Sequence, residues 1–202
     1  ADLGRPLVVS TGAATREEVA QGAAWLDNVA ELAFLQCTSS YPAPDDRAAI
    51  GGMHEIASIT GRAVGYSDHT ACADTGAVAV AAGACILEKH LTYDRGAAGP
   101  DHSASLDPEQ FAEYVRLARR AARMVGAPRK ELQDLERDVR AVSRQSLVAV
   151  RDLAAGSVLA RADLCVKRPG TGLSPSLLEE MVGRTLARGV AADRVLVAED
   201  LA

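Results

Sequence analysis

The feature that most constrains the fold is a four-fold succession of short apolar segments, each followed by a polar loop and a helical pattern. Apolar runs of this length and composition are typical of buried strands. They occupy residues 7–9, 32–37, 63–66 and 84–88. Strands that alternate with helices predict a parallel sheet with right-handed crossovers.

Polar and potentially reactive side chains gather after each predicted strand and not before it. In a (β/α)₈ barrel, the carboxyl ends of the strands form the face that carries the chemistry. Four strand–helix units amount to half of such a barrel. We therefore predict an α/β fold in which residues 1–126 form the second half of a (β/α)₈ TIM-type barrel.

Helix boundaries are signalled at both ends of this region. Thr15 and Glu18 have the spacing of a capping box at the start of the first helix. Asp107 followed by Pro108 predicts the start of a later helix, and Gly126 predicts its end. The sequence therefore predicts that the last helix of the half-barrel runs between Asp107 and Gly126, with a stripe that includes Phe111 and Ala118.

The pattern changes after Gly126. Residues 127–145 are rich in charged side chains and predict an exposed helical linker. Residues 146–202 contain a weak internal repeat, in which 155–164 resembles 192–201, and a short helix with Ser174 as its cap. We predict a small accessory domain of short strands and turns there.

Composition limits the classes of function. The chain of 202 residues has 48% hydrophobic residues and a net charge of −5, which supports a globular core but gives no electrostatic footprint for nucleic acid or an anionic membrane. No apolar stretch is long enough to span a bilayer, and no signal-peptide pattern is present. The four cysteines form no Cys-x-x-Cys pair, so we predict reduced thiols and a cytoplasmic location.

The most informative polar residues are two histidines. His69 and His90 follow the third and fourth strands, and residues two apart in a strand face the same side. Ser67 therefore accompanies His69, and Glu88 accompanies His90. Two imidazoles, a carboxylate and a hydroxyl can hold a divalent metal that keeps positions open for water and substrate. The alternative is that each histidine is only a hydrogen-bonded residue at a strand end.

Further candidates lie in the loops. Ser10 precedes a helix start, where an anion can meet backbone N–H groups, although a simple capped turn explains it as well. Tyr41 in the proline-rich loop 41–44 and Asp101 in the turn 99–102 could reach the rim or merely stiffen it. Arg168 is either a surface charge or a side chain with which the accessory domain reaches a ligand.

As a set, six motifs resemble those of the sialic-acid synthases, in order and over nearly the whole chain. That family condenses phosphoenolpyruvate with an N-acylated amino sugar, such as N-acetylmannosamine or a related hexose, to a nine-carbon keto acid and phosphate. The motifs are Ser-Thr-Gly at 10–12, Cys-Thr-Ser-Ser-Tyr-Pro-Ala-Pro at 37–44, Gly-Tyr-Ser-Asp-His-Thr at 65–70, Glu-Lys-His-Leu-Thr at 88–92, Gly-Pro-Asp-His at 99–102 and Val-Lys-Arg-Pro-Gly at 166–170.

The resemblance implies roles for the residues of the barrel strands. His69 and His90 correspond to ligands of a divalent metal, Mn²⁺ or Mg²⁺, that polarises the sugar aldehyde. Ser10 and Ser67 match contacts to the phosphate of phosphoenolpyruvate. Glu88 matches a carboxylate near the reacting centre, so the implied catalytic set is His69, His90 and Glu88.

The resemblance also implies roles for residues of the loops and of the accessory domain. Ser39, Tyr41 and Asp101 match contacts to the amino sugar. Residues 146–202 match an antifreeze-like (SAF, β-clip) domain, whose Arg168 would reach the sugar in a partner subunit's barrel. The implied assembly is a domain-swapped homodimer.

The family's barrel begins about four strands earlier than this chain does. The resemblance therefore implies that residues 1–202 alone show little or no activity. Two other interpretations stay open. The chain could be a non-catalytic carbohydrate-binding or assembly module that carries the SAF domain, or a different metal-dependent aldolase on the same barrel.

Overall fold

A computed structural model describes residues 4–202. The chain divides into two compact units, the first reaching to Pro128 and the second beginning at Arg129. The first unit holds a four-stranded parallel sheet in the order β1-β2-β3-β4. Its elements are β1 (Leu7–Ser10), α1 (Arg16–Trp25), β2 (Leu32–Cys37), α2 (Gly52–Thr60), β3 (Ala63–Asp68), α3 (Thr75–Ala81), β4 (Leu87–Lys89) and α4 (Pro108–Val125). The predicted α/β class with a parallel sheet is confirmed.

The core of the first unit lies between the sheet and the helices that follow its strands. Phe34 of β2 and Tyr66 of β3 are each 1% exposed and pack with Met53 and Ile56 of α2. The Tyr66 hydroxyl donates to the Ala48 carbonyl at 2.8 Å, so the polar end of this ring is satisfied inside the core. The helix-facing side of the sheet is therefore fixed by large apolar side chains.

The predicted helix caps are confirmed. The Thr15 side chain accepts from the Glu18 N–H in a capping box, and Asp107 does the same for Gln110 with Pro108 in the first turn. Gly126 ends α4 with a φ of 63°. Within residues 4–202 no helix is both long enough and apolar enough to cross a membrane.

Two details differ from the expectation. β4 begins at Leu87 instead of residue 84, although the Cys85 N–H already donates to the Val64 carbonyl at 3.0 Å. In α4, Tyr114 is 3% exposed, whereas Phe111, which we predicted in the buried stripe, is only partly buried. Tyr114 can be enclosed because Gly76 on the facing helix α3 has no side chain. A Cβ at Gly76 would overlap the Tyr114 ring.

The second unit contains α5 (Arg137–Ser143), β5 (Ser146–Ala149), β6 (Leu164–Lys167) and α6 (Leu178–Met181). β5 and β6 pair antiparallel. Its own core consists mainly of leucines, among them Leu147, Leu159, Leu186 and Leu196. The internal repeat predicted from sequence corresponds to two similar 3₁₀ turns, Arg161–Asp163 and Ala198–Asp200.

Candidate functional site

The site is built at the carboxyl ends of β3 and β4. Ser67 and Glu88 are register partners in the parallel pair, and the Ser67 hydroxyl donates to Glu88 Oε1 at 2.7 Å. The Ser67 side chain is buried, while Glu88 is exposed at the open side of the sheet. This arrangement places a carboxylate beside a hydroxyl that can turn towards a ligand.

His69 and His90 follow two residues after this pair, as the strand period requires. Their ring centroids are 5.2 Å apart and the ring planes are at 83°. His69 is 7% exposed, and His90 is partly buried. The structure therefore brings the two imidazoles together at the carboxyl ends of β3 and β4.

The hydrogen bonds of His69 define which nitrogen is free. Its Nδ1 lies 3.0 Å from the Thr38 carbonyl oxygen, which can only accept, so in the neutral ring Nδ1 carries the proton. Nε2 then has a lone pair, and its only close polar neighbour among the described residues is the Ser67 hydroxyl at 3.5 Å. That hydroxyl directs its proton to Glu88. The Nε2 lone pair is consequently available to a ligand.

Tyr41 covers both imidazoles. Its ring centroid is 4.2 Å from that of His69 and 5.5 Å from that of His90, and the side chain is 49% exposed. The loop is fastened because the Ala43 N–H donates to the His69 carbonyl at 2.8 Å. Burial raises the pKa of the Tyr41 phenol, and electrostatic repulsion from Cys37, Asp101 and Glu88 raises it further. The phenol therefore stays protonated and can donate to a ligand.

Ser10 and Ser39 lie at the neighbouring strand ends. Ser10 is the last residue of β1 and is exposed. A Cβ at Gly12 would overlap the Ser39 hydroxyl and lie 2.9 Å from Cys37 Sγ, so this glycine lets β2 and its loop approach the turn after β1. Ser39 thus packs against the segment that carries Ser10.

Asp101 is carried by a loop that several polar contacts hold in place. Its carbonyl accepts from the Ser105 hydroxyl at 2.7 Å, and the carboxylate is exposed. The next residue, His102, has Nδ1 2.6 Å from the Thr92 hydroxyl. We did not predict His102 and Thr92 as supports of this loop, because no strand or helix period relates positions in an irregular segment.

The described residues supply two imidazoles of the kind that a divalent metal would need as ligands. His69 offers a free Nε2, and His90 lies beside it. Among residues 4–202, however, no three histidine, cysteine, aspartate or glutamate side chains converge as a metal-binding group, so Glu88 does not join the two imidazoles. A metal held by the two imidazoles would keep its other coordination positions for water, substrate or further ligands, and open positions are what Lewis-acid catalysis requires.

Arg168 belongs to the second unit. It follows β6, is exposed, and its Nε donates to the Ser143 carbonyl at 3.1 Å. The remaining guanidinium N–H groups stay able to donate.

Sequence reasoning missed one buried pair beside the site. Lys89 Nζ lies 3.2 Å from Asp68 Oδ2, and their side chains are 1% and 0% exposed. The strand period could have predicted this pair. Each of the two residues lies between two predicted site residues, so its side chain must face the opposite side of the sheet.

Comparison with known proteins identifies the family to which this chain belongs. The chain is 37% identical over 205 residues to the N,N'-diacetyllegionaminic acid synthase of Legionella pneumophila, covering 97% of this chain and 57% of that protein. It is 32% identical to the human N-acetylneuraminate-9-phosphate synthase, covering 98% and 56%. The crystal structure of the N-acetylneuraminic acid synthetase of Leptospira borgpetersenii, in complex with citrate, matches with a TM-score of 0.65 and 30% identity, covering 68% of this chain and 49% of that one.

The chain thus spans little more than half the length of these two curated relatives. The SAF domain model matches residues 144–202, and the NeuB family model matches residues 1–130. Because the NeuB match covers well over half of the sequence and the named relatives make sialic acid or its analogues, the chain belongs to the NeuB family of sialic-acid synthases and carries a SAF domain.

Proposed function

We propose that the complete gene product condenses phosphoenolpyruvate with an N-acylated hexosamine and one water to give a nine-carbon keto acid and inorganic phosphate. The observation that carries this proposal is the cluster of Ser67, His69, Glu88 and His90 at the carboxyl ends of β3 and β4. The names of the relatives support a sugar-acid product. In this proposal the first unit is half of a (β/α)₈ barrel.

The side chains divide between the two substrates. Ser10 and Ser67 are proposed to bind the phosphate of phosphoenolpyruvate, since both hydroxyls lie at strand ends on one edge of the sheet. Tyr41, Ser39 and Asp101 are proposed to bind the amino sugar. Tyr41 supports this because its half-exposed ring lies over the imidazoles, where it can stack on a sugar and donate from its phenol.

Glu88 is the group in the cluster that is suited to proton transfer. Its carboxylate accepts from Ser67 and is exposed to solvent, so it can take a proton from an attacking water or return one to the developing alkoxide. His69 and His90 would hold Mn²⁺ or Mg²⁺, which would polarise the aldehyde of the open-chain sugar when bound. The Thr38 carbonyl supports this by keeping His69 Nε2 free.

The test is turnover by the purified complete gene product with phosphoenolpyruvate, Mn²⁺ and a panel of N-acylated hexosamines. We expect phosphate and keto acid to form in equal amounts, EDTA to abolish the reaction, and Mn²⁺ to restore it. Glu88→Gln should lower kcat by about 10²-fold or more, because it keeps the shape but loses the proton acceptor. The matched control is Glu55→Gln, which replaces an exposed carboxylate paired with Arg16 and should leave kcat unchanged.

Residues 1–202 alone should show little turnover. If the complete gene product binds an N-acylated sugar but forms no keto acid under any of these conditions, the non-catalytic carbohydrate-binding module replaces this proposal.

A further inference from the structure

A buried ion pair lies directly behind the cluster, on the helix-facing side of the sheet. Asp68 and Lys89 are register partners in the β3–β4 pair, next to the Ser67–Glu88 partners. Asp68 lies between Ser67 and His69, and Lys89 lies directly after Glu88. Because strand side chains alternate between the two faces, the ion pair and the cluster share one stretch of backbone.

Both charged groups are tied to surrounding elements. Asp68 Oδ1 accepts from the Thr70 N–H at 2.9 Å and from its hydroxyl at 2.8 Å. The Thr70 hydroxyl contacts that of Thr75 at the start of α3 at 2.8 Å. Lys89 Nζ donates to the Thr70 carbonyl and lies 5.6 Å from the centroid of the Tyr114 ring of α4. The pair therefore joins β3 and β4 to each other and to both neighbouring helices.

Little else fixes how β4 aligns with β3. β4 is three residues long, with three register partners in β3, and apart from the buried Lys89 side chain it offers only a partly buried leucine and an exposed glutamate. A slip by one residue reverses which face every side chain occupies, and apolar burial normally prevents such a slip. Here a one-residue slip of β4 would turn Lys89 to the open side of the sheet and leave the Asp68 carboxylate buried without its partner, which costs far more than losing a partly buried leucine.

Stability by itself does not account for the pair. A buried ion pair contributes little compared with apolar residues of the same volume, because desolvation offsets the Coulombic attraction. A buried pair can instead confer specificity, since a shift of one strand would separate its two charges. The alignment that keeps them together is the one that sets Ser67 opposite Glu88 and brings His69 beside His90.

We propose that Asp68 and Lys89 are positioning residues for the site, in that their buried ion pair fixes the β3–β4 alignment that brings the two imidazoles together. The functional part of this inference rests on the proposed function, in which His69 and His90 act on the same ligand. The geometric part concerns the metal-free protein and can be measured there.

The test uses the double variant Asp68→Asn/Lys89→Met in the complete gene product labelled with ¹⁵N-histidine. Asn keeps the oxygen that accepts from Thr70, and Met fills the volume of the lysine stem, so we expect a folded protein. In the unaltered metal-free protein His69 should show one tautomer with the proton on Nδ1. In the double variant we expect mixed tautomers and shifted signals for His69 and His90, and a Mn²⁺ concentration for half-maximal activity raised by about 10- to 100-fold.

The matched control is Arg151→Met/Asp163→Asn, which removes another ion pair with a buried carboxylate in the second unit. It should lower stability and leave both imidazole signals unchanged. Lys89→Arg provides a second variant should the double variant not fold, because it keeps the charge but does not fit the same buried space. Imidazole signals unchanged in a folded variant, beside a lowered melting temperature, would show a purely structural pair and overturn the inference.

Failure of the proposed function gives a different result. If the unaltered protein makes no keto acid but its imidazole signals still depend on Asp68 and Lys89, the alignment role stands and the reaction assignment falls.

Discussion

Two carboxylates of the second unit show how a single buried residue can be stabilised in its charged form. Asp163 and Asp200 end the two repeated 3₁₀ turns and are 5% and 0% exposed. One carboxylate oxygen of each accepts the N–H at the start of its own turn, Ala160 and Val197 respectively. The other oxygen accepts from an arginine, Arg151 for Asp163. The internal repeat in the sequence therefore corresponds to a structural feature that occurs twice, a 3₁₀ turn whose first N–H is capped by a buried carboxylate.

The pH dependence of stability follows from the Asp163 cap. The Ala160 N–H lowers the pKa of the Asp163 carboxyl, burial opposes this, and Arg151 lowers it further. Because the folded pKa lies below the unfolded value of about 3.9, this stabilisation is present above that pH and is lost as the pH falls through the folded pKa. Methyl NMR signals of Leu147 and Leu186 can follow the unfolding of the second unit in urea. We expect the urea concentration at the midpoint to decrease when the pH is lowered below about 4.

Asp163→Asn should lower that midpoint at neutral pH and reduce its dependence on acid. Asp134→Asn is the control, since the Asp134 side chain is 93% exposed and should not affect the profile. Equal acid sensitivity in Asp163→Asn and the unaltered protein would assign the effect to other groups.

At the scale of elements, regular periods could be predicted and irregular contacts could not. The grouping of Ser67, His69, Glu88 and His90 follows from a strand period of two and from the common edge of parallel strands. The position of the Tyr41 ring over both imidazoles depends on an irregular loop, for which the sequence offers only a stiff proline-rich segment. Contacts made by such a loop depend on how distant parts of the chain pack together, and a local sequence pattern does not show this.

The α4 stripe shows a second limit of prediction. Apolar character favoured Phe111 as a buried residue, yet Tyr114 is the one enclosed. Space on the neighbouring helix α3 decides this, because Gly76 leaves room for the Tyr114 ring. A sequence pattern within one helix contains no information about which position of a facing helix lacks a side chain.

This packing predicts that Gly76→Ala destabilises the protein. The added methyl group would overlap the buried Tyr114 ring, and overpacking of this kind costs about 1–3 kcal/mol. Gly22→Ala in α1 is the matched control, because nothing lies within 4 Å of a Cβ there and alanine should stabilise by about 0.5–1 kcal/mol. Urea unfolding of both variants measures the difference. Equal stabilisation by both substitutions would show that α3 and α4 can separate without cost.

At the scale of the whole molecule, each outer strand of the parallel sheet has one strand partner among the described residues. β1 pairs with β2, and β4 pairs with β3. Unpaired strand edges favour association with further strands, so the sheet is suited to extension on both sides. The relatives are longer than this chain, which covers 57% and 56% of the two curated proteins described above.

Arg168 is expected to bind the sugar of a partner subunit in the domain-swapped dimer that the family resemblance implies. The Arg168 Nε donates to the Ser143 carbonyl, which steadies the side chain and leaves other guanidinium N–H groups for a ligand. A partly buried hydrogen bond from this charged group to a sugar or amide oxygen should contribute about 1.5–3 kcal/mol, or roughly 10- to 150-fold in binding. Arg168→Ala in the complete gene product should raise the sugar KM or lower kcat/KM by this factor, while the KM for phosphoenolpyruvate changes little.

The arrangement in trans is tested by mixing two impaired variants and measuring turnover at a sugar concentration well below KM. Arg168→Ala and Glu88→Ala each damage one part of the site, and a swapped dimer that contains one subunit of each kind regenerates one intact site. We expect activity to return on subunit exchange, towards a quarter of the unaltered level when the subunits mix statistically in equal amounts, because half of the dimers then carry one of two sites. Arg184→Ala, an exposed arginine that donates to the Ala202 carbonyl, is the control and should leave the sugar KM unchanged. No recovery after confirmed subunit exchange would mean that Arg168 does not serve the site of a partner subunit.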